Sequence, residues 1–166
     1  MRYHYFAKFP TLFIVEFGLK ISRPSAQLEA IRICLDGETN LKEWTLKSLQ
    51  TAKEDEAYNL LNKKFWLEWS AFVGLKEKDP YGLTKRTSSH EESKKARRPA
   101  GLMNERLRAS TTSNYLKPTL VYGKDYVIVP PRVWKAFVNW YGRSYEIVRK
   151  VIISPKRDFH LRSTVL

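Results

Sequence analysis

The clearest hydrophobic pattern in the chain lies between Lys124 and Gly142. Tyr126–Val129 is a run of β-branched and aromatic residues, which predicts a short strand. Pro130 and Pro131 follow, and proline suits the first turn of a helix although it cannot donate a ladder hydrogen bond. Apolar residues then recur at helical spacing, namely Val133, Trp134, Phe137, Val138 and Tyr141. The pattern predicts a strand, a sharp corner and a helix that ends at Gly142.

Trp140 does not lie on the apolar stripe of this predicted helix. Two placements stay open for its side chain. It lies either at the edge of the core or on the surface beside Gly142, where an exposed tryptophan could anchor a partner. The residues of the stripe itself are predicted to be core side chains.

Two further helical patterns, with a short strand between them, precede residue 75. Asn40–Lys53 predicts one helix, with Thr39 or Asn40 as its N-terminal cap. Ala57–Leu61 is strand-like, and Asn62 is placed to cap the next helix, Lys63–Gly74. That helix has a broad and mostly aromatic stripe, made up of Phe65, Trp66, Trp69, Phe72 and Val73.

The two ends of the chain have weaker patterns. Ala26–Leu35 predicts a short helix, because its apolar residues share one helical face. Ile147–Ile153 predicts a strand, and Phe159–Val165 predicts a last one. We divide the chain into an N-terminal extension, residues 1–41, and a domain, residues 42–166.

Charge is distributed unevenly along the chain. The net charge is +13, to which residues 1–75 contribute +1, residues 76–98 contribute +4 and residues 99–166 contribute +8. Residues 76–98 are almost free of apolar side chains, so we expect a mobile basic insertion within the domain. The basic excess of the second half predicts attraction to acidic partners, including nucleic acid.

Composition excludes several classes of protein. A chain of 166 residues that is 43% hydrophobic is long and apolar enough to fold around a core. The one cysteine, Cys34, excludes an intrachain disulfide and suits a reducing compartment. The most apolar early run, Phe9–Ile21, contains Glu16 and Lys20 and is too short for a membrane span, which needs about 20 apolar residues. We therefore expect a cytoplasmic and/or nuclear protein with no membrane partner.

Several stretches resemble the DUSP domain, a domain found in ubiquitin-specific proteases. Residues 125–142, DYVIVPPRVWKAFVNWYG, resemble the DYVLVP…W…L..WYG signature of that family. Residues 59–74, NLLNKKFWLEWSAFVG, are similar to its tryptophan-rich block that ends in YVG. NYLKPTLVYG at 114–123 and IVRKVII at 147–153 resemble two further segments in the right order. The resemblance covers about residues 41–166.

The loop at residues 98–104, RPAGLMN, departs from the family pattern. The family carries P-G-P-I-D-N at this place. Here Pro99, Gly101 and Asn104 preserve the chemistry of a turn, and Leu102 and Met103 still offer apolar packing. The inner Gly-Pro of the family is replaced by Ala-Gly and its Ile-Asp by Leu-Met, so a function assigned to the family's loop does not transfer directly.

The elements predict an α+β domain in which helices pack on a small antiparallel sheet. The resemblance implies the same architecture: a three-helix bundle packed against a small three-stranded antiparallel sheet, described as a tripod. It also implies a role as a non-catalytic protein-interaction or substrate-positioning module in the deubiquitination pathway. The partner would be a protein or peptide, or a protease catalytic domain in a longer product.

Residues for a cysteine protease mechanism are scattered in this sequence. Such a mechanism needs a cysteine activated by a histidine that a third residue holds in place. Cys34 lies outside the stretch that resembles the family, and His4, His90 and His160 show no spacing typical of a triad or a metal site. We predict no catalytic residues, no metal and no cofactor for this chain.

A partner-binding surface is predicted at the loop and at the end of the last helix, where an apolar groove framed by basic residues could hold a peptide. Its candidate residues are Pro99, Gly101, Leu102, Met103, Asn104, Trp140 and Tyr141. The alternative from another functional class is a basic nucleic-acid-binding module. Its stacking residues would be Tyr115, Tyr122, Trp140 and Tyr145.

Overall fold

The computed structural model describes residues 23–38, 40–75, 97–110, 112–153 and 159–161. Predictions for residues 1–22, for Thr39, for the insertion up to residue 96 and for residues 162–165 of the last predicted strand lie outside the described residues. The described helices are α1 (Pro24–Cys34), α2 (Leu41–Thr51), α3 (Lys63–Phe72) and α4 (Pro131–Tyr141). The strands are β1 (Ala57–Asn62), β2 (Tyr126–Val129), β3 (Val148–Ile153) and β4 (Phe159–Leu161), and a 3-10 turn covers Asn104–Leu107.

The predicted α+β class is confirmed. The strands form one antiparallel sheet in the order β2-β1-β3-β4, with Leu61 opposite Val127 and Tyr58 opposite Arg149. The three strands β2-β1-β3 correspond to the predicted three-stranded sheet. The three-residue β4 extends this sheet at the outer edge of β3, where Ile152 lies opposite His160.

Local sequence signals set the start of α2, α3 and α4 as predicted. The side chain of Asn40 accepts a hydrogen bond from the Glu43 backbone at 3.0 Å, which caps α2. The side chain of Asn62 accepts one from the Lys64 backbone at 2.9 Å, which caps α3. Proline occupies the first turn of α4, and Gly142, with φ of 91°, ends this helix in a conformation that favours glycine.

The main core is an aromatic cluster between α3 and α4. Phe137 lies at its centre and is fully buried, with its ring centroid 4.9 Å from that of Phe65 and 5.0 Å from that of Trp69. Both pairs are edge-to-face, the arrangement that aromatic quadrupoles favour. The aromatic stripes predicted for the two helices therefore meet each other, and they form the centre of the fold.

Of the two placements left open for Trp140, the structure shows the one in the core and not the exposed anchor. Its side chain is 3% exposed, and its ring packs edge-to-face on Phe137 at 6.0 Å. The apolar stripe of α4 did not predict the burial of Trp140, because a second side of this helix, outside the stripe, is also covered. The Arg98 guanidinium donates to the Trp140 carbonyl at 2.8 Å, which places the segment around residue 98 against this end of α4.

Helix α1 lies within the stretch predicted as an N-terminal extension, and its buried face joins the main core through Ala30, Ile31 and Cys34. Gln27 is also fully buried. Its Oε1 accepts hydrogen bonds from the Trp69 indole at 2.9 Å and from the Tyr141 hydroxyl at 2.7 Å. One amide thereby joins α1, α3 and α4.

We expect Gln27→Ala to lower the free energy of unfolding by about 2–4 kcal/mol, because it leaves the buried Trp69 indole N–H and the partly buried Tyr141 hydroxyl without their acceptor. Urea denaturation followed by tryptophan fluorescence measures this change. Glu29→Ala is a matched control, since Glu29 is exposed on the same helix, and it should change stability by less than about 0.5 kcal/mol. Equal stability of the two variants would contradict the proposed packing of α1.

A second, smaller core lies beside the sheet. It contains the buried residues Leu60, Leu107 and Ile147. The segment that connects the 3-10 turn to β2 covers it, through Leu116 and Leu120. This connecting segment is therefore part of the packed domain, although it contains little regular secondary structure.

Candidate interaction surface

Asn104 holds the loop at residues 98–104 in place. Its side chain is fully buried, and Nδ2 donates to the Leu60 carbonyl at 3.0 Å and to the Tyr145 carbonyl at 2.9 Å. Its Oδ1 accepts from the backbone N–H of Asn62 at 2.8 Å. One side chain thus joins the loop to β1 and to the segment before β3, and this position needs both the donor and the acceptor of an amide.

A second asparagine holds the loop from the opposite side. Asn62 Nδ2 donates to the Met103 carbonyl at 2.8 Å, while its Oδ1 caps α3. Met103 has φ of 62°, a left-handed conformation that is uncommon for a residue with its side chain. The hydrogen bonds on both sides of Met103 hold this backbone conformation, so the loop has one defined shape.

The 3-10 turn after the loop is tied to the segment after α4. Glu105 accepts hydrogen bonds from the Ser144 hydroxyl at 2.9 Å and from the Tyr145 backbone at 3.0 Å. Ser144 Oγ in turn accepts from the Asn104 backbone N–H at 2.9 Å. These contacts span about forty residues of sequence, and no local motif signals them.

The loop at residues 98–104 and the end of α4 meet at a corner of the domain. Arg98 and Tyr141 lie on the outer side of this corner. The Arg98 guanidinium carbon lies 4.5 Å from the centre of the Tyr141 ring, a cation–π contact. Burial raises the pKa of the Tyr141 hydroxyl, and the Arg98 cation offsets part of that rise. Tyr141 therefore stays neutral at physiological pH and acts as a hydrogen-bond donor.

The seven predicted partner-binding residues do come together at one corner, but they differ in exposure. Pro99, Leu102, Asn104 and Trp140 are buried, so their side chains support the corner from inside. Gly101, Met103 and Tyr141 are partly exposed. Their role in binding stays a prediction, and it can involve direct contact only through the partly exposed residues.

The aromatic residues predicted for nucleic-acid stacking lie in different environments. Tyr115 is 80% exposed and Tyr122 is 39% exposed, whereas Trp140 is buried. Tyr145 is partly buried, and the Arg108 guanidinium lies 4.7 Å from the centre of its ring. Only part of the predicted set therefore presents an open ring face.

Cys34 is 5% exposed and lies in the main core beside Ile31 and Leu35. In the described part of the chain, no group of three or more His, Cys, Asp or Glu side chains could hold a metal ion. A search of the same residues found no helix that is long and apolar enough to cross a membrane. Burial of the thiol in apolar surroundings favours a structural role for this cysteine.

Comparisons with known proteins agree with the fold. The DUSP domain family matches residues 55–153. The chain is 32% identical over 146 residues to an inactive ubiquitin-specific protease 5 of Oryza sativa subsp. japonica, with 83% of this chain and 36% of that protein covered. It is 30% identical over 126 residues to ubiquitin carboxyl-terminal hydrolase 10 of Arabidopsis thaliana, with 74% of this chain and 12% of that protein covered.

Fold and loop together define a small α+β domain in which helices pack on an antiparallel sheet and two asparagines fix a surface loop. The family match covers more than half of this chain. The chain belongs to the DUSP domain family, whose members occur in ubiquitin-specific proteases. It spans about a third of the rice relative and about an eighth of the Arabidopsis relative.

Proposed function

We propose that this chain is a non-catalytic module that binds a protein or positions a substrate beside the catalytic domain of a ubiquitin-specific protease. Its family membership supports a place in the deubiquitination pathway. The rice relative is itself named an inactive ubiquitin-specific protease. The partner is a protein or peptide, and the module works in the cytoplasm or the nucleus, where a free thiol stays reduced.

Burial of Cys34 is the observation that carries the non-catalytic part of the proposal. A cysteine protease needs a thiolate that can reach the scissile carbonyl. The chain contains a single cysteine, and its side chain is only 5% exposed within the core. Attack on a ubiquitin conjugate would require the core around α1 to open.

We expect the full chain to show no cleavage of ubiquitin coupled to a fluorophore, and Cys34→Ser to leave this baseline unchanged. A covalent ubiquitin probe that reacts with active-site thiols should not label the protein either, since Cys34 is buried. An active ubiquitin-specific protease in the same assay shows that substrate and probe are competent. Turnover or labelling that is lost in Cys34→Ser would contradict the proposal.

The binding part of the proposal includes the corner around Asn104. Its partly exposed residues Gly101, Met103 and Tyr141 are the predicted contacts, and its buried residues hold them in place. Exposed Arg97 and Arg143 flank the corner in sequence, so a partner there would contact cations beside an apolar surface. Nucleic-acid binding is the second candidate function, and the basic charge of the second half is the observation that favours it.

A further inference from the structure

Exposed apolar side chains concentrate in one segment of the chain. Among the residues that the structure describes, four large hydrophobic side chains are exposed: Leu46 at 48%, Tyr115 at 80%, Val121 at 51% and Tyr122 at 39%. Three of the four lie between residues 115 and 124, on the segment that covers the second core. We call Tyr115, Lys117, Val121, Tyr122 and Lys124 the 115–124 surface.

Hydrogen bonds hold the first part of this surface in place. The Ala109 backbone N–H donates to the Tyr115 carbonyl at 2.8 Å, and the Lys117 backbone N–H donates to the Leu107 carbonyl at 3.0 Å. The Tyr145 hydroxyl donates to the Asn114 carbonyl at 2.7 Å. The Tyr115 side chain therefore projects into solvent, while the backbone before and after it is held by hydrogen bonds.

Hydrogen bonds and a ring contact also hold the second part of this surface in place. The Asp125 carboxylate accepts from the Val121 backbone at 2.7 Å, and the buried Lys63 ammonium donates to the Gly123 carbonyl at 2.7 Å. The Tyr122 ring packs on Tyr126 with 6.0 Å between centroids. An exposed apolar surface on a fixed backbone loses little conformational entropy on binding, which favours recognition.

Charge indicates the chemistry of the partner. Residues 97–153 contain eleven Lys and Arg but only three Asp and Glu. The three carboxylates already accept hydrogen bonds within the domain, Glu105 from Ser144, Asp125 from Val121 and Glu146 from the Asn59 amide. The exposed Lys117 and Lys124 thus lie in a strongly cationic part of the chain, and an acidic partner complements it.

The geometry favours a peptide over a single-stranded nucleic acid. Binding of a single strand relies on successive aromatic faces on which bases stack. Trp140 is buried, Tyr122 packs on Tyr126 and Arg108 covers the Tyr145 ring. Tyr115 is the single member of the predicted stacking set with a widely exposed ring, whereas the aliphatic Val121 suits an apolar side chain of a peptide.

We propose that the 115–124 surface binds an acidic segment of a protein partner, one that carries large apolar side chains among its carboxylates. The apolar side chains contact exposed residues among Tyr115, Val121 and Tyr122, and the carboxylates face Lys117 and Lys124. This inference rests on the proposed protein-interaction function and adds the surface and the partner chemistry to it.

Selection with the full chain against a display library of random 12-residue peptides tests the inference. Enriched peptides should combine Asp or Glu with a large apolar residue, and synthetic copies should bind in a fluorescence polarisation assay. Tyr115→Ala combined with Val121→Ser should weaken binding about tenfold or more. Lys117→Glu combined with Lys124→Glu should weaken it by a similar factor.

Matched controls separate this surface from general effects of charge and apolarity. Leu46→Ser removes an equally exposed apolar side chain on α2, and Lys42→Glu combined with Lys53→Glu makes the same charge change elsewhere. Both controls should bind the selected peptides within about twofold of the wild type. Circular dichroism melts of all variants verify that they are folded.

Several results would overturn the inference. Selected peptides that are not acidic, or that bind the 115–124 variants as tightly as the wild type, would place recognition elsewhere and leave the protein-interaction function intact. A twelve-nucleotide single strand that binds more tightly than the peptides, with a steep loss of affinity in salt, would assign the surface to nucleic acid. If no peptide is enriched, the inference fails, while capture of a purified protein partner by the same chain would still support the interaction function.

Discussion

Asn104→Ala should lower the free energy of unfolding by about 3–5 kcal/mol. The substitution leaves the Leu60 and Tyr145 carbonyls and the Asn62 N–H without their hydrogen-bond partner. A buried polar group that loses its partner costs about 1–3 kcal/mol. Local relaxation and entry of water keep the total below the sum of three such losses. Urea denaturation at neutral pH, followed by fluorescence, measures the change.

Asn114→Ala is the matched control for this prediction. Asn114 is exposed, and the hydrogen bond that it receives from Tyr145 goes to its backbone carbonyl, which alanine keeps. This control should shift stability by less than about 0.5 kcal/mol. A loss below about 1 kcal/mol for Asn104→Ala would show that Asn104 does not hold the loop as described.

Phe137→Ala should cost about 3–5 kcal/mol, the usual range for removing a buried aromatic ring from a core. The cavity would open at the centre of the aromatic cluster, where Phe137 contacts rings from both α3 and α4. Neighbouring indole rings cannot close this space without leaving their own contacts. Chemical denaturation again provides the measurement, and loss of near-ultraviolet circular dichroism would report the loosened tryptophans.

Two comparisons make the Phe137 prediction specific. Phe137→Leu retains much of the volume and should cost about 1–2 kcal/mol, well below the alanine variant. Tyr115→Ala removes an aromatic side chain that is 80% exposed, and it should change stability by less than about 0.5 kcal/mol. Equal losses for Phe137→Ala and Tyr115→Ala would contradict the assignment of the core.

Much of the fold could be predicted because its signals are local. The proline corner, the apolar spacing and the final glycine bound α4 within one residue of its observed limits. Asn40 and Asn62 marked helix starts through their capping chemistry. The family resemblance then agreed with an α+β class that the order of the elements already favoured.

The position of α1 could not be predicted, because it depends on a polar residue with distant partners. Gln27 bonds to Tyr141 across 114 residues of sequence, and in the sequence alone it is one polar residue in a weak helical pattern. Burial of a glutamine is uncommon unless its amide is satisfied. Its partners become visible only when three helices are assembled.

The candidate site was predicted in part. The sequence indicated that the loop and the end of α4 belong together, and the structure shows that they do, through Arg98 and the Trp140 carbonyl. The sequence did not indicate that the Asn104 side chain is buried, and it left the placement of Trp140 open. The exposed Val121 was also missed, because a single apolar residue between a loop and a strand has no distinctive pattern.

Capture of partners by the full chain from nuclease-treated lysate of its source organism tests the central claim most directly. We predict that defined proteins are retained by the wild type and by Leu46→Ser and are lost from the Tyr115→Ala, Val121→Ser variant. Each such protein should bind again as a purified component. If every protein retained from a parallel untreated lysate is absent after nuclease treatment, or if none rebinds when purified, the chain does not act as a protein-interaction module.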